Sequence, residues 1–522
     1  MMEKIFGNKY FAAFLFVAAL SVYLLNSWGV SIYILDEAKN AGCAREMLEA
    51  RNAFVPTFNQ VLRTDKPPLH YFFMMLAYKM FGVNPFAARF FSACFGALTI
   101  LISFIYTRRF SNAQLAGWTA IVLLASIHLS LQFHLAVPDP YLVFFMTWSL
   151  LAFFAAYKTA ALRQILFMYV SVALGILAKG PVALLLPGLV FLLFLFFSRS
   201  LNGRTIRKFK PMLGIAIVVA VVLPWFLVNG IKTQWEWTLG FLGEHNLNRF
   251  ADAKEGHGGS FLLTILFVLL GLFPFSIFLP RAVWLAFRNK QKPFVLFNIV
   301  AGFTIVGFFC ISQTKLPNYT VPAYPFLSVI LAYFITQKGV SFRQIRIEYI
   351  VLLLLGFAVP IGAYFALKYD SSLSSVQQNA FWFLILPFGL IFAFFFKQKM
   401  HRFLLLIAFS GLCTALVFFA EVFPGIDRQN PVSKSIDMLS GREIAYYKKY
   451  NPAYSFYLKK QIQELEADEF EHFFQTNPEG IIISTKHKIE ALDLGAEYEI
   501  VFSGKDLFEL PTTVLIQQKR EP

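Results

Sequence analysis

A chain of 522 residues that is 57% hydrophobic and 18% aromatic, with 63 Phe and only 15% charged residues, is too apolar for an ordinary soluble domain and belongs in a membrane. Its formal net charge of +16 would by size alone suit a nucleic-acid partner. The placement of that charge excludes the reading, because the basic residues gather in alternate loops between apolar runs.

Apolar runs long enough to cross roughly 30 Å of hydrocarbon as helix recur from near the N-terminus to Phe419. Thirteen are expected, at approximately 10–28, 85–106, 113–133, 140–157, 164–178, 181–197, 211–228, 261–280, 293–312, 318–336, 349–367, 380–396 and 403–421. The first is read as a helix and not a signal peptide, since no small-residue cleavage site follows it. If the runs alternate, Lys4, Lys9, Arg108, Arg109, Lys158, Arg163, the Arg199–Lys210 cluster, Arg281, Arg288, Lys290, Lys292, Lys338, Arg343, Arg346, Lys397, Lys399 and Arg402 share one face. That pattern predicts a cytoplasmic N-terminus and an external C-terminus.

The loops of the other face mix signs and carry aromatics. The first of them, residues 29–84, interrupts the apolar chain with "YILDEAKNAGCAREMLEARNAFVPTFNQVLRTDKPPLHYFF". Asp36 and Glu37 fall within a few residues of the first run, where a carboxylate at membrane level is costly and so has a partner or a task. Two readings stand for Asp36: a cap for the helix-forming "EAKNAGCAREMLEA", or a functional carboxylate. The "DKPP" of Asp65, Lys66, Pro67 and Pro68 forbids a helix through Lys66 and starts a new apolar helix after it. This pins Lys66 at the surface, as an anchor for the helix end or as part of a site.

From residue 422 to residue 522 the apolar pattern stops. Near-balanced charge, the helix-like "SFYLKKQIQELEADEFEHFF" and the strand-like "GIIIST" and "TTVLIQQ" predict a small C-terminal α/β domain outside the membrane. The expected fold class is therefore a polytopic α-helical membrane protein, residues 1–421, followed by this domain. Cys43, Cys94, Cys310 and Cys413 are scattered and make neither a disulfide framework nor a CxxC knuckle. No P-loop, GxGxxG or DxD triplet occurs, so a nucleotide cofactor is not expected.

The motifs "DEAKNAGCAREML" and "DKPPLHYFFMMLAYKMFGVNPFAARFFSACFGALTI", followed in order by "HLAVPDPYLVFF", "LAKGPVALLLPG", "EHNLNRF" and "KLPNYTVPAYPFL", resemble the polyprenyl-phosphate-dependent glycosyltransferases of the GT-C fold. Among these they are most similar to the bacterial aminoarabinose (lipid A) transferases and the protein O-mannosyltransferases. The resemblance covers roughly the first 340 residues. The aminoarabinose branch usually has Asp-Glu-x-Arg-Tyr where this chain has Asp36-Glu37-Ala38-Lys39-Asn40, and often a Glu where Asp65 stands. Lys39 keeps the charge but lacks the planar fork of Arg, so a different contact is expected there.

The resemblance implies a bacterial inner-membrane enzyme that moves a sugar from a polyprenyl-phosphate carrier to lipid A, a protein or a glycan outside the cytoplasm. Asp36, with its acidic neighbour Glu37, is then the base that takes the acceptor proton, and burial beside apolar spans is expected to raise its pKa. A single carboxylate acting opposite the leaving group implies inversion at the sugar carbon. Lys66, Arg249 and the Tyr319 hydroxyl would neutralise the departing phosphate, with Lys315 in reserve. Lys179 either joins them or anchors a helix end, and Asp139 orients the first loop. Lys39, Glu244 and His257 support the site, although Glu244 and Arg249 would also pair across a helical turn. A divalent ion between Asp65 and His245 is implied as well, against a reading of His245 as a hydrogen-bonding group alone.

A lipid-linked-sugar transporter or flippase explains many spans and membrane-level charges equally well, but should show internal repeats and charges in mid-span. A polymerising ligase of the O-antigen type would carry its bulk in a late outer loop. Here the charges gather at one face and in the first loop. The orientation is testable: a reporter active only in the cytoplasm, fused after Pro522, is expected to be silent, and activity there would invert the assignment of faces.

Overall fold

Long apolar helices dominate the computed structural model, in which residues 2–244, 259–337, 339–492, 495, 497–507 and 509–519 are described. Among the described residues nine helices are long and apolar enough to cross a membrane. Two further crossings are bent pairs, Ala113–Leu124 with Ile127–Phe133 at 68° and Phe261–Gly271 with Phe275–Arg288 at 116°. Phe11–Leu24 and Val182–Phe197 are apolar but shorter. Helices form in these runs because hydrocarbon offers a backbone no other hydrogen-bonding partner.

The two bends depart from the straight segments expected at 113–133 and 261–280. At the first, Ala125 ends one helix and Ser126 caps the next. Its Oγ accepts from the Leu129 N–H and donates to the Gly271 carbonyl at 2.6 Å. At the second, Pro274 has no N–H to continue the helical ladder. The helix Asp139–Thr159 is the enclosed centre of the bundle, with 89% of its apolar window buried, whereas Pro211–Lys232, at 11%, faces outward. Phe153 on the central helix stacks on Phe191 at 4.0 Å and on Phe209 at 5.0 Å.

The first outer loop is a structure in its own right. Its helix Leu35–Glu49 is followed by a hairpin of β1, Thr57–Phe58, and β2, Val61–Leu62. Glu46 ties the two together by accepting from Thr57 Oγ1, Asn59 N and Gln60 N at 2.8, 2.8 and 3.1 Å. Beyond Pro67 and Pro68 the helix Leu69–Phe81 begins. The hairpin is also held from the side: Trp225 and Asn229 donate to the carbonyls of Ala53 and Phe54, and Trp237 donates to that of Arg63 at 2.8 Å.

The helix that starts at Met400 continues to Asp427, beyond the expected boundary at residue 421. A five-stranded sheet follows, in the order β4 (Gln463–Glu464), β3 (Ile444–Tyr446), β5 (Ile481–Thr485), β7 (Thr512–Gln518), β6 (Tyr498–Lys505). β3 runs parallel to β4 and β5, and β7 runs antiparallel to β5 and β6. This C-terminal unit grips the first outer loop. Tyr457 Oη accepts from Ile32 N at 2.7 Å, Tyr33 Oη donates to Asp506 at 2.8 Å, and Asp427 accepts from Ser31 N and Oγ. Asn59 and Ile462 exchange a reciprocal pair of bonds at 2.8 Å.

One buried ion pair ties the loop helix to the bundle. Arg89, on the helix Pro85–Phe110, meets Glu37 side-on with bonds of 2.8 and 2.7 Å, and both residues are buried. The same guanidinium donates to the carbonyls of Ser27, Val30 and Ser31, while Glu37 also accepts from Ala136 N at 2.8 Å. Replacing Arg89 by Met strands a carboxylate in the interior, and is expected to lower stability by about 3–5 kcal/mol, as for a broken buried pair. In thermal unfolding in detergent, Glu37→Met added to Arg89→Met should recover part of that loss.

Candidate active site

Asp36 stands in the first turn of the loop helix and keeps 63% of its side chain exposed, facing Lys66, which is buried. The Lys66 Nζ lies 3.9 Å from Asp36 Oδ2. One residue earlier in the chain, Asp65 accepts from Arg63 Nε at 3.1 Å. Two short elements therefore bring two carboxylates and two cations together. The loop helix supplies Asp36, and the segment between β2 and the Pro67–Pro68 pair supplies Arg63, Asp65 and Lys66. Lys39 is one helical turn beyond Asp36 and adds to the positive field on it.

The charge state of Asp36 runs against the expectation from sequence. Lys66 holds the carboxyl below its ordinary pKa; partial desolvation by the surrounding protein opposes this, and Arg63 adds to the lowering. Desolvation alone would raise an acid, but a nearby cation favours the charged form, and here the cations outweigh it. His70, on the next helix, is fully enclosed. Burial first, then the charges of Arg63 and Lys66, push its imidazole well below its ordinary value, so it is a neutral neighbour.

Glu37, expected beside Asp36 in the chemistry, points the other way into the Arg89 pair and sets the position of the helix that carries Asp36. Asp139 and Lys179 form a second cluster. Lys179 Nζ is 2.5 Å from Asp139 Oδ1, and Asn318 donates to the same carboxylate at 2.8 Å. Tyr319 joins it, with the Lys179 ammonium 5.5 Å from the centre of its ring. The two clusters meet through the loop helix, where Glu37 and Asn40 bond the backbone N–H and carbonyl of Ala136.

Lys315 is buried and its ammonium donates to the carbonyls of Phe309, Cys310 and Ser312, at the end of the helix Pro293–Ile311. That is the bonding of a helix C-terminal cation. Glu244 is described and exposed; His245, Arg249 and His257 lie outside the described residues. The expected metal pair is thus only half in view. Among the described residues no three His, Cys, Asp or Glu side chains converge to hold an ion, and Asp65 is engaged by Arg63.

Sequence reasoning passed over Arg63, Arg89 and Asn318. Arg89 had a signal, a lone charge in the apolar "FAARFFSACFGA", which requires a partner in the protein interior. Arg63 was visible in "RTDKPP" but not its direction, and Asn318 carried no signal.

Comparison with known proteins places the fold. Residues 65–227 match the family model for dolichyl-phosphate-mannose-protein mannosyltransferase, a stretch that begins at Asp65 and takes in Lys66, Arg89, Asp139 and Lys179. An uncharacterized protein of Aquifex aeolicus is 24% identical over 484 residues, 91% of this chain and 88% of that protein. The undecaprenyl phosphate-alpha-4-amino-4-deoxy-L-arabinose arabinosyl transferase 2 of Pseudomonas fluorescens is 26% identical over 67% of this chain, and the match spans 60% of that relative's length. The crystal structure of ArnT from Cupriavidus metallidurans bound to undecaprenyl phosphate superposes with a TM-score of 0.82, over 97% of this chain and 98% of that one, at 21% identity.

The fold is that of a polytopic integral membrane protein of GT-C architecture. Within that class, this chain resembles the aminoarabinose transferases and the protein O-mannosyltransferases. The electrostatics of the cluster are open to measurement. Removing the cation in Lys66→Met is expected to raise the Asp36 pKa, because the charged carboxylate loses its main stabilising neighbour. Infrared titration of the carboxyl band, differenced against Asp36→Asn, reads the shift, and an unmoved or lowered pKa would contradict the geometry.

Proposed function

We propose that this protein is an inverting glycosyltransferase that moves a sugar from a polyprenyl-phosphate carrier to an acceptor outside the cytoplasm, at the bacterial inner membrane. The observation that carries the reading is the Asp36–Lys66 pair, a solvent-facing carboxylate 3.9 Å from a buried ammonium, in a chain whose fold matches a structure that holds undecaprenyl phosphate. Lipid A, a protein and a glycan are the acceptor classes drawn from the relatives. The thirteen-span count, the external C-terminal domain and the donor-site role of Arg249 belong to the same proposal.

The chemistry follows from the residue types. An acceptor hydroxyl or amine approaches from the water side and gives its proton to Asp36 as its lone pair forms the new bond to the anomeric carbon. The bond from that carbon to the phosphate oxygen breaks with inversion, and its electron pair leaves on the lipid phosphate. The phosphate needs neutralisation and not a proton, which Lys66 and Arg249 supply, with the Tyr319 hydroxyl as a further donor. A bound phosphate also cancels part of the Lys66 charge at Asp36, so the carboxylate becomes a stronger base once the donor is seated. Lys179 and Asn318 hold Asp139, and Lys315 holds a helix end.

The cap reading of Asp36 is overturned by the structure, where Ile34 holds the N-cap position without a side-chain bond and Asp36 lies in the first turn, so Asp36→Asn removes the carboxylate at constant size without removing a cap. The expected result is a folded protein that binds the lipid-linked donor and transfers sugar at least about a hundredfold more slowly. Near-normal turnover in the purified variant would remove the base. Lys66→Ala and Arg249→Ala are each expected to weaken donor binding as well as turnover, by about 2–5 kcal/mol per buried charged contact. Undiminished donor affinity in both would return Lys66 to the anchor reading.

A further inference from the structure

At the end of the bundle opposite Asp36, a cavity of about 460 Å³ opens between the ends of several helices. The central helix gives the separation: Asp139 stands at one end, and Lys158, which lines the cavity, follows roughly 28 Å further along the axis. The cavity plays no part in the transfer site.

Its chemistry is divided. Lys158 and Lys292 flank it, with Tyr333 and Asn112 beside them, and the Lys292 ammonium donates to Tyr333 Oη at 3.0 Å. None of its lining residues is acidic. Arg109 sits on the same helix end, stacked 5.3 Å from Phe110, which also lines the cavity. Two helices, Ala113–Leu124 and Pro293–Ile311, begin at this rim and turn their positive ends toward it. Deeper in, Phe154, Phe294 and Val329 make the walls apolar.

We propose that this cavity binds one anionic phospholipid of the adjacent leaflet, its phosphate between Lys158 and Lys292 and part of its glycerol and acyl region against the phenylalanines. Two ammonium groups with no carboxylate among the described lining residues select an anion. A wall that turns apolar within the same cavity selects an amphipathic one, so a free phosphate satisfies only half of the site. Basic pockets between spans at the membrane surface are the usual seats of such headgroups. The lysines are exposed, so replacing them leaves the bundle packing intact.

Native mass spectrometry of the full chain from detergent, with phosphatidylglycerol, phosphatidylcholine or glycerol phosphate added, tests this. The unaltered protein is expected to retain one phosphatidylglycerol in preference to phosphatidylcholine. Lys158→Ala/Lys292→Ala should weaken that retention at least about tenfold, and Lys158→Glu/Lys292→Glu should weaken it further. Phosphatidylglycerol should also raise the melting temperature of the unaltered protein more than that of either variant. Equal retention by all three proteins would overturn the site, and glycerol phosphate binding as tightly as the lipid would show a simple anion site instead.

Discussion

The contact between Arg89 and Glu37 governs the rest of the structure. Neither charge can be left alone where it lies, because an unpaired ion in so apolar a surround costs several kcal/mol. Each therefore collects every partner within reach. Arg89 takes both carboxylate oxygens and three carbonyls of the chain leaving the first helix, and Glu37 takes the N–H of Ala136. A helix of the bundle, the exit of the first helix, the loop helix and the approach to Asp139 are thereby locked at one point. Asp36 is the next residue along from that lock.

Stiffness at Glu37 and freedom at Asp36 are two sides of one arrangement. Successive residues on a helix point about 100° apart, so a buried anchor at one position presents its neighbour to a different surrounding. Here that surrounding is solvent and the Lys66 ammonium. The C-terminal sheet completes the support from outside, since Tyr457, Asp427, Asp506 and Ile462 all bond to the first outer loop. A loop held from three directions loses little order when a ligand arrives, and the displacement at carbon proposed above would require positioning of this kind.

The two ends of the bundle carry opposite electrostatic designs. At the Asp36 end charges are paired across the cluster, Lys66 with Asp36, Arg63 with Asp65 and Lys179 with Asp139. At the other end the residues lining the cavity of Lys158 and Lys292 are neutral apart from the two lysines, and Tyr333 and Phe154 lie against their ammonium groups. Paired charges suit the proposed transfer, in which a carboxylate takes a proton and a cation receives the leaving phosphate. Unopposed ones suit a surface that faces anionic lipid.

Much was legible in the sequence because its causes are local. Apolar runs of span length, the alternation of basic loops and the prolines after Lys66 each reflect a rule acting over a few residues, and each expected run overlaps an apolar helix. Asp36 and Lys66 were visible as charges that membrane-level chain does not tolerate without reason. What only the tertiary structure decided is who meets whom. Glu37 and Arg89 are 52 positions apart, so nothing along the chain says that one acid faces inward and its neighbour outward. Lys315 reads as a free cation, and only the structure shows its ammonium turned back onto the carbonyls at the end of the preceding helix. The Asp36 pKa reversed its expected direction for the same reason. Burial can be guessed from an apolar neighbourhood, but a Coulomb term depends on distance, and the 3.9 Å to Lys66 exists only once two separate segments have been packed together.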